Sequence, residues 1–151
     1  KNYINPSDYS TAELQQKVGV PLVKQFALGG INSVRGFIFQ GLNVVNKTGQ
    51  LTNFQIQGTL AYVNYRTQID FNLSDSLRVG PFFDAANLMI DDFSFNRDMR
   101  MGAGVGLRYM TPIGPANFDW GFNLDPRSVP STTGQPQVEP SNQFYFSLGV
   151  I

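Results

Sequence analysis

"MRMGAGVGLRY", residues 99–109, decides how the rest of the chain is read. Its odd positions, Met99, Met101, Ala103, Val105, Leu107 and Tyr109, are all apolar. Its even positions are Arg100, Gly102, Gly104, Gly106 and Arg108. Side chains alternate across a strand, so period 2 makes this a strand with one apolar face and one face of glycine and cation. In a soluble sheet the second face would meet water and favour threonine or charge. A stripe of glycine weakens a strand. It makes sense where something bulky must approach the backbone.

The same alternation recurs. In 115–125, Ala116, Phe118, Trp120, Phe122 and Leu124 oppose Asn117, Asp119, Gly121, Asn123 and Asp125. In 142–150, Phe144, Phe146, Leu148 and Val150 oppose Gln143, Tyr145, Ser147 and Gly149. In 76–86, Leu77, Val79, Pro81, Phe83 and Ala85 oppose Arg78, Gly80, Phe82, Asp84 and Ala86. The run 55–71 is less regular, with Tyr62, Asn64 and Arg66 on one face and Ala61, Val63, Tyr65 and Ile69 on the other.

Each run is about ten residues long, the length of a tilted strand crossing the hydrocarbon layer of a bilayer. The connections alternate too. Residues 72–75 and 111–114 are short turns, while 89–98 and 126–141 are longer. Short turns at one end and long loops at the other mark outer-membrane barrels. The expected fold is therefore all-β, an antiparallel transmembrane barrel; a soluble sandwich is the alternative that pattern alone leaves open. Five strands cannot close a barrel, and an open edge in lipid leaves N–H and C=O groups unpaired at several kcal/mol each. The expectation is a piece of a longer barrel, or a barrel assembled from several chains.

Composition narrows the function. The 151 residues hold 11 Lys+Arg against 11 Asp+Glu, with no histidine and no cysteine. That balance offers no basic stripe for nucleic acid. The missing residue types remove disulfides, thiolate nucleophiles, histidine triads and the usual zinc ligands. Ser33 has no histidine to activate it, so no catalytic residue, metal or cofactor is assigned and no enzyme is expected. Only 15 % of residues are charged, against about a quarter in soluble domains. The chain begins with Lys1 and shows no signal peptide, which reads as a mature or partial chain.

Smaller features have bland readings. Residues 10–18 fit a short helix capped by Ser10 or Thr11. Gly102–Gly106 resembles a nucleotide loop, but such a loop needs a helix after it and here the strand continues. Asp91 and Asp92 read as a solvated loop pair. Arg100 and Arg108 either line a conduction path or are solvated inner-face residues. Trp120 and Tyr109 suit an interfacial aromatic girdle.

One stretch resists this scheme: "GGINSVRGF", residues 29–37, with three glycines around a lone cation, Arg35. Together with "FFDAAN" (82–87), 99–125 and the terminal "FYFSLGVI" (144–151), it resembles the C-terminal part of the BamA/TamA superfamily of outer-membrane barrels. The resemblance runs from about residue 20 to the end. It implies one barrel domain over 1–151, with 1–54 mainly a large loop and 55–151 the last strands of a sixteen-stranded wall. It implies a loop motif, Val34, Arg35, Gly36 and Phe37, that folds back into the lumen against Asp84 and Phe82. Gly102, Gly104 and Gly106 would leave room for it, and Arg35 would need a buried anion, because an unpaired buried cation is very costly. Phe144, Phe146, Leu148 and Gly149 would belong to a terminal strand that acts as assembly signal and lateral gate.

The implied activity is insertion of β-barrel proteins into the bacterial outer membrane, in the manner of BamA. The alternatives are a TamA-like or two-partner-secretion translocation barrel and, more distantly, a passive channel. Implied partners are the lipid bilayer, unfolded outer-membrane proteins, accessory lipoproteins, the remainder of the barrel and periplasmic POTRA domains. The Asn46-Lys47-Thr48 sequon has no meaning in that setting. The sequence departs from the family twice. Ala86 replaces the last glycine of a Phe-x-Asp-x-Gly motif, and the chain ends on Ile151 where an aromatic is usual, so a residue or more is expected beyond it.

Overall fold

A computed structural model describes residues 26–45, 51–52, 61–89, 98–129 and 137–149. The helix expected over 10–18, the sequon at Asn46, the Asp91–Asp92 pair, residues 55–60 and Val150–Ile151 lie outside them. The strands are β1 (Val44–Val45), β2 (Leu51–Thr52), β3 (Ala61–Gln68), β4 (Phe71–Asn72), β5 (Leu77–Met89), β6 (Arg100–Thr111), β7 (Gly114–Asn123), β8 (Ser128–Val129), β9 (Gln137–Val138) and β10 (Asn142–Leu148). The main sheet runs β10-β7-β6-β5-β3, with β4 also on β5, and every pairing is antiparallel.

Residues 61–72 form one strand line, because Gln68 faces Phe82 and Phe71 faces Val79 in unbroken register. The gap at Ile69 and Asp70 falls opposite Pro81 and Gly80. Proline has no N–H to donate, although its carbonyl still accepts the Ile69 N–H at 3.1 Å. Between β6 and β7, Thr111 faces Gly114 across a two-residue turn of Pro112 and Ile113. Gly114 takes φ 122°, a conformation that favours glycine. The long connection after β7 is not wholly irregular: β8 and β9 pair within it, Ser128 opposite Val138.

The two faces match the alternation. Val105, Leu107, Phe118, Trp120, Phe144, Phe146 and Leu148 point outward and are exposed. Phe118 pairs with Phe146 and Trp120 with Phe144 in register, and the latter two rings stack at 5.0 Å. Ala85, small between Tyr65 and Met101, is buried among larger neighbours. An apolar, aromatic face of this extent suits lipid and not water.

The core lies on the other face. Residues 27–43 form turns and irregular backbone, and Leu28, Val34, Phe37 and Leu42 from this loop pack with Ala86 and Leu88 of β5. The expected glycine position is thus filled by a fully buried alanine whose methyl joins the core. Among the described residues, β3 and β10 are the two edges of the main sheet.

Candidate functional site: a loop seated on the inner face

The loop tip reaches the inner face because its backbone is slim and the wall is hollow beneath it. Gly29, Gly30 and Gly36 have positive φ, and a Cβ on Gly36 would stand 2.7 Å from the Phe122 carbonyl. From the wall side, a Cβ on Gly102 would lie 1.9 Å from the Arg35 carbonyl oxygen, and one on Gly121 would lie 2.5 Å from the Gly36 nitrogen. Real Cβ atoms do not approach so closely, so glycine is required at all three positions.

Arg35 is 2 % exposed and Asp84 0 %. The guanidinium forks onto the carboxylate: Nε donates to Oδ2 at 2.7 Å and Nη2 to Oδ1 at 2.8 Å. The Arg35 backbone N–H donates to the same Oδ2 at 3.0 Å. Nη1 donates to Gln68 Oε1 at 2.7 Å and lies 3.4 Å from Asp119 Oδ2. The Phe82 ring lies 3.5 Å from the guanidinium carbon. Burial alone would disfavour the cation; the carboxylates of Asp84 and Asp119 outweigh it and hold Arg35 above the ordinary arginine range. Bidentate pairing of this kind needs the planar fork of arginine.

Asp119 is a second buried carboxylate, and it also receives Arg108, whose Nη1 lies 2.6 Å from Oδ1. Arg108 Nη2 donates to Gln68 Oε1 at 3.0 Å. Arg66 Nε stands 3.7 Å from Asp84 Oδ1. The polar side of the tip is therefore a network of three arginines, two aspartates and a glutamine. Tyr145 closes it from β10: its hydroxyl accepts the Gly36 N–H at 2.9 Å and donates to the Phe37 carbonyl at 2.6 Å.

The expected site residues divide by role. Val34, Arg35, Gly36 and Phe37 meet Asp84, Phe82 and Gly102 at the tip. Gly104 instead makes room for the Trp120 carbonyl oxygen and the Phe82 ring, 2.0 and 2.6 Å from a would-be Cβ, and Gly106 for the Asp119–Arg108 pair. Phe144, Phe146 and Leu148 face outward, away from the loop. Gly149, with φ 72°, donates its N–H to the Pro115 carbonyl at 2.9 Å. Arg100 is not solvated but fully buried against Glu139, while Arg108 is partly exposed and paired as above. Gln68, Asp119, Gly121 and Tyr145 were absent from the expected site. Alternation puts the last three on the inner face, but nothing in the linear sequence aims them at the tip.

Glu139 anchors a second polar cluster. Its Oε1 accepts from Asn43 Nδ2 at 2.9 Å. Its Oε2 accepts from Arg100 Nη2, from Asn123 Nδ2 at 3.2 Å and from the Arg127 backbone N–H at 2.9 Å. Arg127 in turn chelates Asp98 at 2.7 and 2.5 Å and bonds Asp125 at 2.8 Å. The bonds to Asp98, together with those to Asp125, raise Arg127 above the ordinary arginine range despite partial burial.

Residues 5–150 match the Omp85 superfamily domain. The chain is also 30 % identical over 133 residues to an outer membrane protein assembly factor BamA from Nitratidesulfovibrio vulgaris, an alignment covering 86 % of this chain and 16 % of that protein. The antiparallel sheet, its lipid-suited outer face and these matches agree: the chain belongs to the Omp85 superfamily, whose members assemble or translocate proteins at the bacterial outer membrane.

Proposed function

We propose that this chain is the C-terminal wall and lumen loop of a BamA-like factor that folds and inserts β-barrel proteins into the outer membrane. The observation that carries the reading is the seated tip, with Arg35 locked onto Asp84 behind a lipid-facing wall. A loop anchored so firmly across the lumen face stiffens one side of the barrel, while β10, an edge among the described residues, would present its main chain to another strand. An incoming strand is recognised by the edge it pairs with, as in strand addition generally. The activity breaks no covalent bond and asks for no catalytic residue. Unfolded outer-membrane proteins would be the substrates, and POTRA domains and accessory lipoproteins the partners. The rest of the barrel would come from the same gene product.

The second reading is polypeptide translocation of the TamA or two-partner-secretion kind, which the superfamily match supports as well. A passive channel is the weakest reading, because a seated loop obstructs the lumen face. The test is complementation: the full-length protein is expressed in cells depleted of their own assembly factor, and folded porin in the outer membrane is measured. Restored porin folding that is lost with Arg35→Ala supports insertion. Export of a single passenger protein without porin recovery would move the assignment to translocation.

A further inference from the structure

We infer that Glu139 is a positioning residue that couples the edge strand β10 to the seat of the lumen loop. Glu139 lies three residues before Asn142, the first residue of β10, and is itself buried. Its two carboxylate oxygens reach the loop by separate routes. Oε1 holds Asn43, on the return leg of the loop. Oε2 holds Arg100, whose guanidinium carbon lies 5.1 Å from the centre of the Phe37 ring at the tip. Arg100 Nε and Asn43 Oδ1 have no hydrogen-bond partner among the described residues. Glu139 supplies the shorter of the two bonds made by the Asn43 amide, whose other acceptor is the Gly41 carbonyl at 3.3 Å, and the buried ionic partner of Arg100. Among the described residues Arg100 has one other ionic partner, the half-exposed Asp125 at 3.3 Å.

A further grip comes from β10 itself, through Tyr145 on Gly36 and Phe37. The strand and the segment leading into it thus hold the tip and one leg together. Displacement of β10 toward a new strand partner would withdraw Glu139 and Tyr145 from the loop at once. The coupling is reciprocal, so an unseated loop would loosen the start of β10. None of this needs Arg35 or Asp84 to change partner.

The inference deepens the proposed function, yet its test uses no assembly assay, so either can fail without the other. Two amides report on the seat: Arg35 N–H, bonded to Asp84, and Gly36 N–H, bonded to Tyr145. Hydrogen exchange over 34–37 is followed in the full-length protein, with β6 as the internal reference. Glu139→Ala should speed exchange over 34–37 about tenfold while β6 stays protected. Because Glu139→Ala strands a buried cation, the paired variant Arg100→Leu/Glu139→Leu removes both charges and should give the same local release. Asn43→Leu should give a smaller rise. Unchanged exchange at the tip in a variant whose β6 remains protected would overturn the coupling. So would a rise spread equally over the tip and β6 in the paired variant, which would make Glu139 a general stabiliser.

Discussion

Arg35 and Asp84 stand 49 residues apart in sequence and meet in a two-pronged ion pair at 2.7 and 2.8 Å, with neither side chain open to solvent. The Arg35 backbone N–H also ends on this carboxylate. Asp84 therefore fixes both the side chain and the main chain of the tip. Removing either partner leaves the other buried charge with only a longer ionic contact, Asp119 at 3.4 Å for Arg35 or Arg66 at 3.7 Å for Asp84, and breaking a buried pair costs about 3–5 kcal/mol. Arg35→Ala and Asp84→Ala should each destabilise the seated loop by that order, and the double variant should be little worse than either single one. A double-mutant cycle on the thermal unfolding of the full-length protein measures this; strictly additive effects would refute the pairing energy. Arg35→Lys should remain impaired, because an ammonium cannot reproduce the fork.

The glycines beneath the tip separate backbone crowding from side-chain crowding. Gly102→Ala places a methyl 1.9 Å from the Arg35 carbonyl oxygen, which cannot move without lifting the tip. Gly106→Ala meets the ends of the Asp119 and Arg108 side chains at 2.6 and 2.9 Å, which can swing aside. Gly102→Ala should therefore cost about 1–3 kcal/mol and Gly106→Ala distinctly less. Protease nicking within 29–37 should rise in the first variant and change little in the second. Equal effects would contradict this account of the stripe.

Tyr145→Phe keeps the ring and deletes the hydroxyl that bonds Gly36 and Phe37. The Gly36 N–H is then left without its partner, at a cost of about 1–3 kcal/mol. Exchange of that amide should accelerate, with the outward face of β10 unaffected. A protected Gly36 amide in the variant would show that the hydroxyl does not hold the tip.

The two faces of β10 should respond oppositely to charge. Phe146 is 60 % exposed on the outer face, beside Phe118. Ser147 points inward, where its hydroxyl accepts from Asn117 Nδ2 at 3.1 Å. Phe146→Arg should cost about 2–4 kcal/mol near the bilayer midplane, and Ser147→Arg much less. Reversible unfolding from lipid vesicles measures both; the opposite ranking would reverse the assignment of faces.

Much of the wall was legible in the sequence because a strand's side chains alternate regardless of what the strand pairs with. Met101, Val105, Phe118 and Phe146 fell on one face and Asp84, Gly102 and Tyr145 on the other from spacing alone. The boundaries were less legible. β5 continues to Met89, beyond the expected run, because β3 covers it as far as Ala61. The Arg35–Asp84 pair was an expectation from family resemblance joined to the need of a buried cation for an anion.

What the sequence determined by itself was the face of each strand residue, the lipid-suited side of the wall and the residue types that exclude histidine and thiol chemistry. Tertiary structure alone decided which inner-face groups meet. Asp119 serves Arg35 and Arg108 together, Tyr145 clasps the tip from a strand 109 residues away from Gly36, and Glu139 collects Asn43, Arg100 and Asn123. Periodicity assigns a side chain to a face, but a hydrogen bond depends on distances of a few tenths of an ångström. Those distances follow from strand register and from how the loop folds back across the sheet.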